Sequence, residues 1–396
     1  MIRKHLRAVW GIGWRVGLAL FALFQVTFTV AGIRQAVDWP YLDFYTFLRA
    51  GMKVRTGQPI YTFDHIIITE QLSNDIVTLQ HPLVAVVFTP LSLLPPQIAY
   101  HLWLTLSVLG WGLAIVLALR AAALPPAGWF VPLLLAVSSP GLQWDLVWGQ
   151  VACLIALGLL LGYLLIRRER WLLAGVVVGI LIMGKFLLAP LALPLLLRGR
   201  WRALAGLVSG AGLTVVLALP WTGWHAFPAW LVALRDVSWA DSSGNLSVHA
   251  YLTRLAGGPL PAWQAATVSL LTVAIGLCIL IRPVDGFANT PRFYSGLIAV
   301  SILGSPLGWG NYTLFLLPLW ALLLTSPIGK ARRNVAIAAT ICLWYSDLGL
   351  LPGPWVDLLH TVGLILFVAV LSAVPRLQLA LHSQRQRGAL VTSTQE

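Results

Sequence analysis

The sequence predicts an all-α, polytopic membrane protein, and three observations carry that reading. Hydrophobic residues make up 59% of the 396 positions and charged residues only 10%, whereas soluble domains carry about a quarter. Mean hydropathy is +0.84. Apolar stretches approaching the roughly 20 residues of a bilayer-crossing helix recur from residue 13 to residue 374 with no long polar interval.

In chain order the expected segments are 13–33, 82–94, 97–119, 128–140, 148–166, 171–183, 186–197, 203–220, 262–281, 293–305, 311–325, 335–350 and 355–374. The first follows a signal-like MIRKHLR start. It runs to Ile33 without an A-x-A cleavage site and reads as a retained span. Basic clusters then set the topology: Arg3, Lys4 and Arg7; Arg167, Arg168 and Arg170; Arg198, Arg200 and Arg202; Lys330, Arg332 and Arg333; Arg376, Arg385 and Arg387. The positive-inside rule puts all of them in the cytoplasm, and both termini with them. Ten of the thirteen acidic residues then fall outside: Asp38, Asp43, Asp64, Glu70, Asp75, Asp145, Asp236, Asp241, Asp347 and Asp357.

Two cytoplasmic termini require an even number of crossings, so thirteen segments imply about twelve transmembrane helices with short or broken pieces among them. A segment of about a dozen residues spans roughly 18 Å at 1.5 Å per residue, short of a hydrocarbon core of about 30 Å. Broken backbone at that depth is tolerated only against protein or a cavity. The short segments therefore predict an internal, partly polar cavity.

The chain reads as one domain, 1–396, with an outer loop at 34–81, a second outer loop at 221–261 and a cytoplasmic tail at 376–396. In the first loop Phe44, Phe47, Leu48, Gly51 and Val54 share one helical face, while Arg49 and Lys53 lie four apart on another. The pattern predicts an amphipathic helix lying on the membrane surface, apolar side down. Gly57-Gln58-Pro59 ends it, and a second helical stretch runs from about Asp64 to Asp75.

The formal charge of +13 does not mark a nucleic-acid partner, because the basic residues are scattered at span ends and not pooled on one soluble face. Cys153, Cys278 and Cys342 each sit within an apolar run, so neither a disulfide nor a metal cluster is expected.

The order Asp43-Phe44-Tyr45 with Gly57, Pro59 and Tyr61 downstream resembles the first outer loop of glycosyltransferase family 87. The similarity continues through His81-Pro82, Phe88-Thr89-Pro90-Leu91, Gly149-Gln150-Val151, Ala174-Gly175 with Lys185 and Pro190, Asn245-Leu246-Ser247, and Ser305-Pro306 with Trp309. Family members are integral-membrane enzymes of the GT-C fold and include mannosyltransferases that use polyprenyl-phosphate mannose. The resemblance implies an inverting displacement at the anomeric carbon, from a polyprenyl-phosphate sugar donor to a glycolipid or glycan acceptor at the outer face of the cell membrane.

On that resemblance Asp43 is the expected catalytic base, although an Asp at this position also suits a helix cap. Both roles are compatible, since a helix N-terminus favours the ionised carboxylate. Lys185 falls between two half-length segments, where an unpaired ammonium costs about 2.5 to 3.5 kcal/mol; phosphate, an interface or a protein carboxylate would each compensate it. Arg254, Arg49 and His81 are further donor-phosphate candidates, with Arg235 beside them, while ordinary interfacial hydration also explains His81. Gln150, Asn245, His249, Trp309 and Asn311 are the expected sugar or acceptor contacts. Many relatives carry a His after the Trp of the last motif. Here Gly310-Asn311 follows Trp309, so an acid/base role for that His does not transfer. Trp221, Trp224, Trp230 and Trp239 suit either the interface belt or sugar stacking.

No D-x-D, P-loop, G-x-S-x-G or H-E-x-x-H occurs. No cofactor is implied and no metal ligand is assigned, although a divalent metal stays open. The competing class is a carrier or flippase moving a lipid-linked sugar through the same cavity. The topology is testable by cysteine labelling in intact cells. A Cys introduced at Gly57 should react with an impermeant maleimide, and one introduced at Arg387 should react only after lysis.

Overall fold

The computed structural model describes residues 2–36, 43–61, 79–197, 201–236, 244–280, 291–317 and 362–363. The expected helix at 64–75, the segment 335–350, all but 362–363 of the segment 355–374, the tail, Trp239 and Cys342 lie outside the described residues. The described residues are helical throughout, without a named strand. The protein is an all-α polytopic membrane protein.

Helix α1 (Ile2–Ala36) leads into α2 (Asp43–Arg55). There follow α3 (Pro82–Phe88), α4 (Pro96–Ala121), α5 (Phe130–Val137), α6 (Pro140–Trp148), α7 (Ala152–Arg167) and α8 (Trp171–Gly184). A 3-10 helix, Phe186–Ala192, runs into α9 (Leu193–Leu197). Then come α10 (Trp201–Thr222), α11 (Ala226–Asp236), α12 (Val248–Leu255), α13 (Ala262–Leu280) and α14 (Pro291–Gly304). A second 3-10 helix, Gly310–Leu316, closes the described core.

Among the described residues, four stretches are long and apolar enough to cross a bilayer: Arg15–Ala36 of α1, then α4, α10 and α13. The expected segments 82–94, 128–140 and 186–197 do not form single bilayer-length helices. Proline accounts for the breaks, because it lacks an N–H and starts helices far better than it continues them. Pro82, Pro96 and Pro140 each open a helix, and Pro190 sits inside the Phe186–Ala192 turn.

The apolar face of α2 is the one its periodicity predicts, but lipid is not what covers it. Phe44 and Phe47 are buried against Phe88, with ring centroids 5.9 and 5.2 Å away, and Phe44 also meets Tyr100 at 5.3 Å. The helix is therefore packed into the protein, on α3 and α4, and not laid on the membrane. Helix α4 presents the matching stripe: Tyr100, Trp103, Ser107, Trp111, Ala114 and Ala118 are all buried. The segment 221–261 likewise contains two helices, α11 and α12.

Helices α8 and α10 meet at close range. Gly175 and Gly179 on α8, and Gly206 and Gly210 on α10, are each spaced four apart, and a Cβ at any of them would run into backbone of the other helix. Small residues at this spacing let two backbones meet where lipid offers no hydrophobic drive between helices. Gly206→Leu is therefore expected to cost about 1–3 kcal/mol through overpacking and to lower the unfolding temperature in detergent. Gly212→Leu, on the same helix but with open space around its Cβ, should leave that temperature unchanged.

Candidate active site

Asp43 is the first residue of α2, and its carboxylate Oδ2 accepts a hydrogen bond from Gln150 Nε2. The position of Gln150 follows from the local chain. Helix α6 stops at Gly149, whose φ of 64° and ψ of 38° lie in the left-handed region open to glycine. The Gln150 amide N–H then donates to the Asp145 carbonyl at 2.8 Å. Helix α4 holds this turn from behind. The Trp103 indole donates to the carbonyls of Gly149 and Gln150 at 2.9 and 3.1 Å, and the Tyr100 hydroxyl donates to Val147 at 2.8 Å. A Cβ on Gly149 would stand 2.6 Å from Phe44 Cβ, so the turn reaches α2 only because residue 149 has no side chain.

Lys185 occupies the break between α8 and the Phe186–Ala192 turn, in extended conformation. Its Nζ donates to the Tyr312 hydroxyl at 2.9 Å and lies 5.0 Å from that ring's centroid. Its charge also acts on Asp43. Lys185 and Asp43 line one cavity of about 850 Å³, within the usual range for a small-molecule site. Gln150, Asn311, His249 and Trp309 line it as well, together with Trp144, Trp148 and Trp230. The partly polar cavity expected from the short segments is present, and it is open to the surface.

Burial is the main influence on Asp43 and raises its pKa above the usual carboxylate value of 3.8. The Gln150 hydrogen bond and the Lys185 charge oppose the rise, and the Asp145 charge adds to it. A carboxylate held in this way has the higher proton affinity a base requires.

Four of the sequence candidates are not cavity-lining residues. The Asn245 amide is engaged inside the protein: Nδ2 donates to the Pro306 carbonyl at 2.7 Å, and Oδ1 accepts from Ser247 N at 3.2 Å and Gly308 N at 2.9 Å. It ties residues 244–247 to 306–310. Arg254 donates to the Asn245 carbonyl at 3.1 Å, and Arg49 reaches the Tyr45 carbonyl at 3.4 Å. His81 is not the hydrated interfacial histidine that its position allows. It is 1% exposed, its ring lies 4.8 Å from Trp230 and 5.6 Å from Phe227, and its Nδ1 accepts from Leu83 N at 3.1 Å. Burial lowers its pKa from 6.5 to about 4, which leaves it neutral at physiological pH.

Of the tryptophans expected at the interface belt or a stacking surface, Trp221 and Trp224 are exposed while Trp230 is buried and forms part of the cavity wall. Asp145 was visible in the sequence only as one of ten outer carboxylates, and no motif singled it out. It is wholly buried and accepts from Ala152 N at 2.8 Å, Cys153 N at 3.1 Å and Asn311 Nδ2 at 3.5 Å.

The model of glycosyltransferase family 87 matches residues 81–307, more than half of the chain. The chain belongs to glycosyltransferase family 87. It is a membrane glycosyltransferase, and a sugar donor and a sugar acceptor are its partners. No curated protein and no solved structure matches it. The matched span includes Gln150, Lys185 and His249, begins after Asp43, and ends before Trp309 and Asn311.

Gly149→Ala tests whether this glycosyltransferase depends on the turn beneath Gln150. The left-handed backbone alone costs about 1–2 kcal/mol with a Cβ, and the collision with Phe44 adds to it, so sugar transfer should fall at least tenfold. Gly57→Ala shares the left-handed backbone, at φ 68°, but meets nothing within 4 Å and should retain transfer.

Proposed function

We propose that the protein is an inverting glycosyltransferase that moves a hexose from a polyprenyl-phosphate donor to a hydroxyl of a glycolipid or glycan. The reaction occurs at the outer face of the cell membrane, with both termini in the cytoplasm. Mannose is the sugar that the family resemblance favours. One observation carries the reading: a carboxylate and an ammonium, Asp43 and Lys185, line the same cavity in a family of glycosyltransferases.

The chemistry follows from that pair. The acceptor oxygen attacks the anomeric carbon from the face opposite the phosphate and gives its proton to the Asp43 carboxylate. The bond from the anomeric carbon to the phosphate oxygen breaks with its electron pair, leaving polyprenyl phosphate and an inverted linkage. Lys185 Nζ offsets the charge of the departing phosphate, with the Tyr312 hydroxyl as a neighbouring donor. Phe186, next to Lys185, is exposed, and its ring stacks on Trp230 at 4.7 Å. An apolar chain attached to a phosphate at Lys185 would meet this surface. Gln150 orients the base through Nε2, while its Oε1 is buried without a hydrogen-bond partner and is free to accept from a substrate hydroxyl. Asn311, Trp309 and His249 are the sugar or acceptor contacts in this reading. Arg254, Arg49, His81 and Asn245 act through the elements they brace.

Asp43→Asn should lower transfer from polyprenyl-phosphate mannose by about 10²- to 10⁴-fold, the usual contribution of a general base, while the variant stays folded and still binds the donor. Equal transfer by both proteins would leave Asp43 a helix cap, and donor binding without transfer by either would favour a carrier. The acid limb of the pH profile should lie above the ordinary carboxylate value of 3.8, because Asp43 must lose its proton to act. Gln150→Leu removes an interaction that favours the ionised form, so the limb should move to still higher pH.

A further inference from the structure

We infer that Asp145 is a positioning residue for the transfer reaction, holding Gln150 and Asn311 in register so that the Asp43 carboxylate is oriented toward the substrate. The inference rests on the reading of Asp43 as the base.

Asp145 lies behind the cavity wall and does not line the cavity. Its two carboxylate oxygens take the first N–H groups of α7, at Ala152 and Cys153, and its Oδ1 also receives the Asn311 amide. Its backbone carbonyl takes the Gln150 N–H. One residue thus joins α6, the start of α7 and the Gly310–Leu316 turn. Its carboxylate holds Asn311 directly and the start of α7 just after Gln150, and both Gln150 and Asn311 line the cavity with Asp43.

Helix capping alone does not explain a carboxylate here. A helix start is capped about equally well by Ser or Asn, and these carry no charge into the interior. A wholly buried carboxylate is costly unless its partners compensate it. Asp145 has neutral donors and, among the described residues, no Lys or Arg within ion-pair distance. The α7 N-terminus favours an anion through its free N–H groups, which makes the site tolerable without making the charge necessary. The charge has a second consequence, since it acts on Asp43 in opposition to Lys185. The titratable or charged groups facing this assembly are Lys185, Tyr312, His249 and Arg235 around the cavity, and Cys153 beside Asp145.

The test uses full-length protein in nanodiscs, with polyprenyl-phosphate mannose as donor and Asp43→Asn as control. Asp145→Ala should lower kcat on the order of 10- to 100-fold, the effect of a misplaced reacting group, with donor KM changed less than about threefold. Asp145→Asn keeps the size and one acceptor oxygen and should recover part of that loss. Its acid limb should move to lower pH, because a negative charge near Asp43 is gone. If Asp145 acts through Gln150, the Asp145→Asn and Gln150→Ala losses will be non-additive, and the double variant will be little worse than the poorer single one. Additive losses with an unmoved acid limb, in protein that loses transfer on Asp43→Asn, would overturn the inference and leave the base assignment standing. Transfer that survives Asp43→Asn would overturn both.

Discussion

The hydrogen bond from Gln150 to Asp43 is the contact on which the rest of the site depends. It joins the start of α2 to a turn more than a hundred residues later, and several contacts hold that turn in place. Gly149 supplies a left-handed residue and room for Phe44. Trp103 and Tyr100 on α4 hold the turn's carbonyls, the Asp145 carbonyl takes the Gln150 N–H, and the Asp145 carboxylate takes the first N–H groups of α7 just beyond it. A buried carboxylate is expensive, and its proton affinity rises unless donors and cations offset the burial. Here one amide and one ammonium do so in part, leaving a group that is desolvated and also able to ionise.

The cavity that holds this carboxylate is a product of interrupted helices. Lys185 can reach it because α8 ends at Gly184 and the following turn is too short to carry the chain onward as α-helix. Asn311 and Tyr312 reach it from another 3-10 turn. Around these breaks the protein is packed tightly, through the glycine-spaced contact of α8 with α10 and the aromatic cluster under α2. The irregular backbone is thereby shielded from lipid, as unpaired peptide groups at that depth require.

Much of this was legible in the sequence, for identifiable reasons. Composition and segment spacing carried the all-α membrane class, and segments too short to cross carried the cavity. The helical periodicity of Phe44, Phe47, Leu48, Gly51 and Val54 gave the buried face of α2 correctly. Periodicity cannot say what covers such a face, and protein, not lipid, does so. His81 misled for a related reason: its place at the end of a polar loop suggested water, while its neighbours Phe227 and Trp230 come from a helix nearly 150 residues away. Asn245 stood in a motif and proved to be a brace between two loops. Asp145 stood in none, because two of its partners are backbone amides, which leave no mark in side-chain patterns, and the third, Asn311, lies 166 residues away.

The central claim, that Asp43 and Lys185 act on one donor molecule, is tested most directly by an experimental structure of the Asp43→Asn protein with a polyprenyl-phosphate hexose bound. The phosphate should lie within hydrogen-bond distance of Lys185 Nζ, with the anomeric carbon turned toward the side chain at position 43. A donor whose phosphate is held away from Lys185, or whose sugar faces away from position 43, would contradict it.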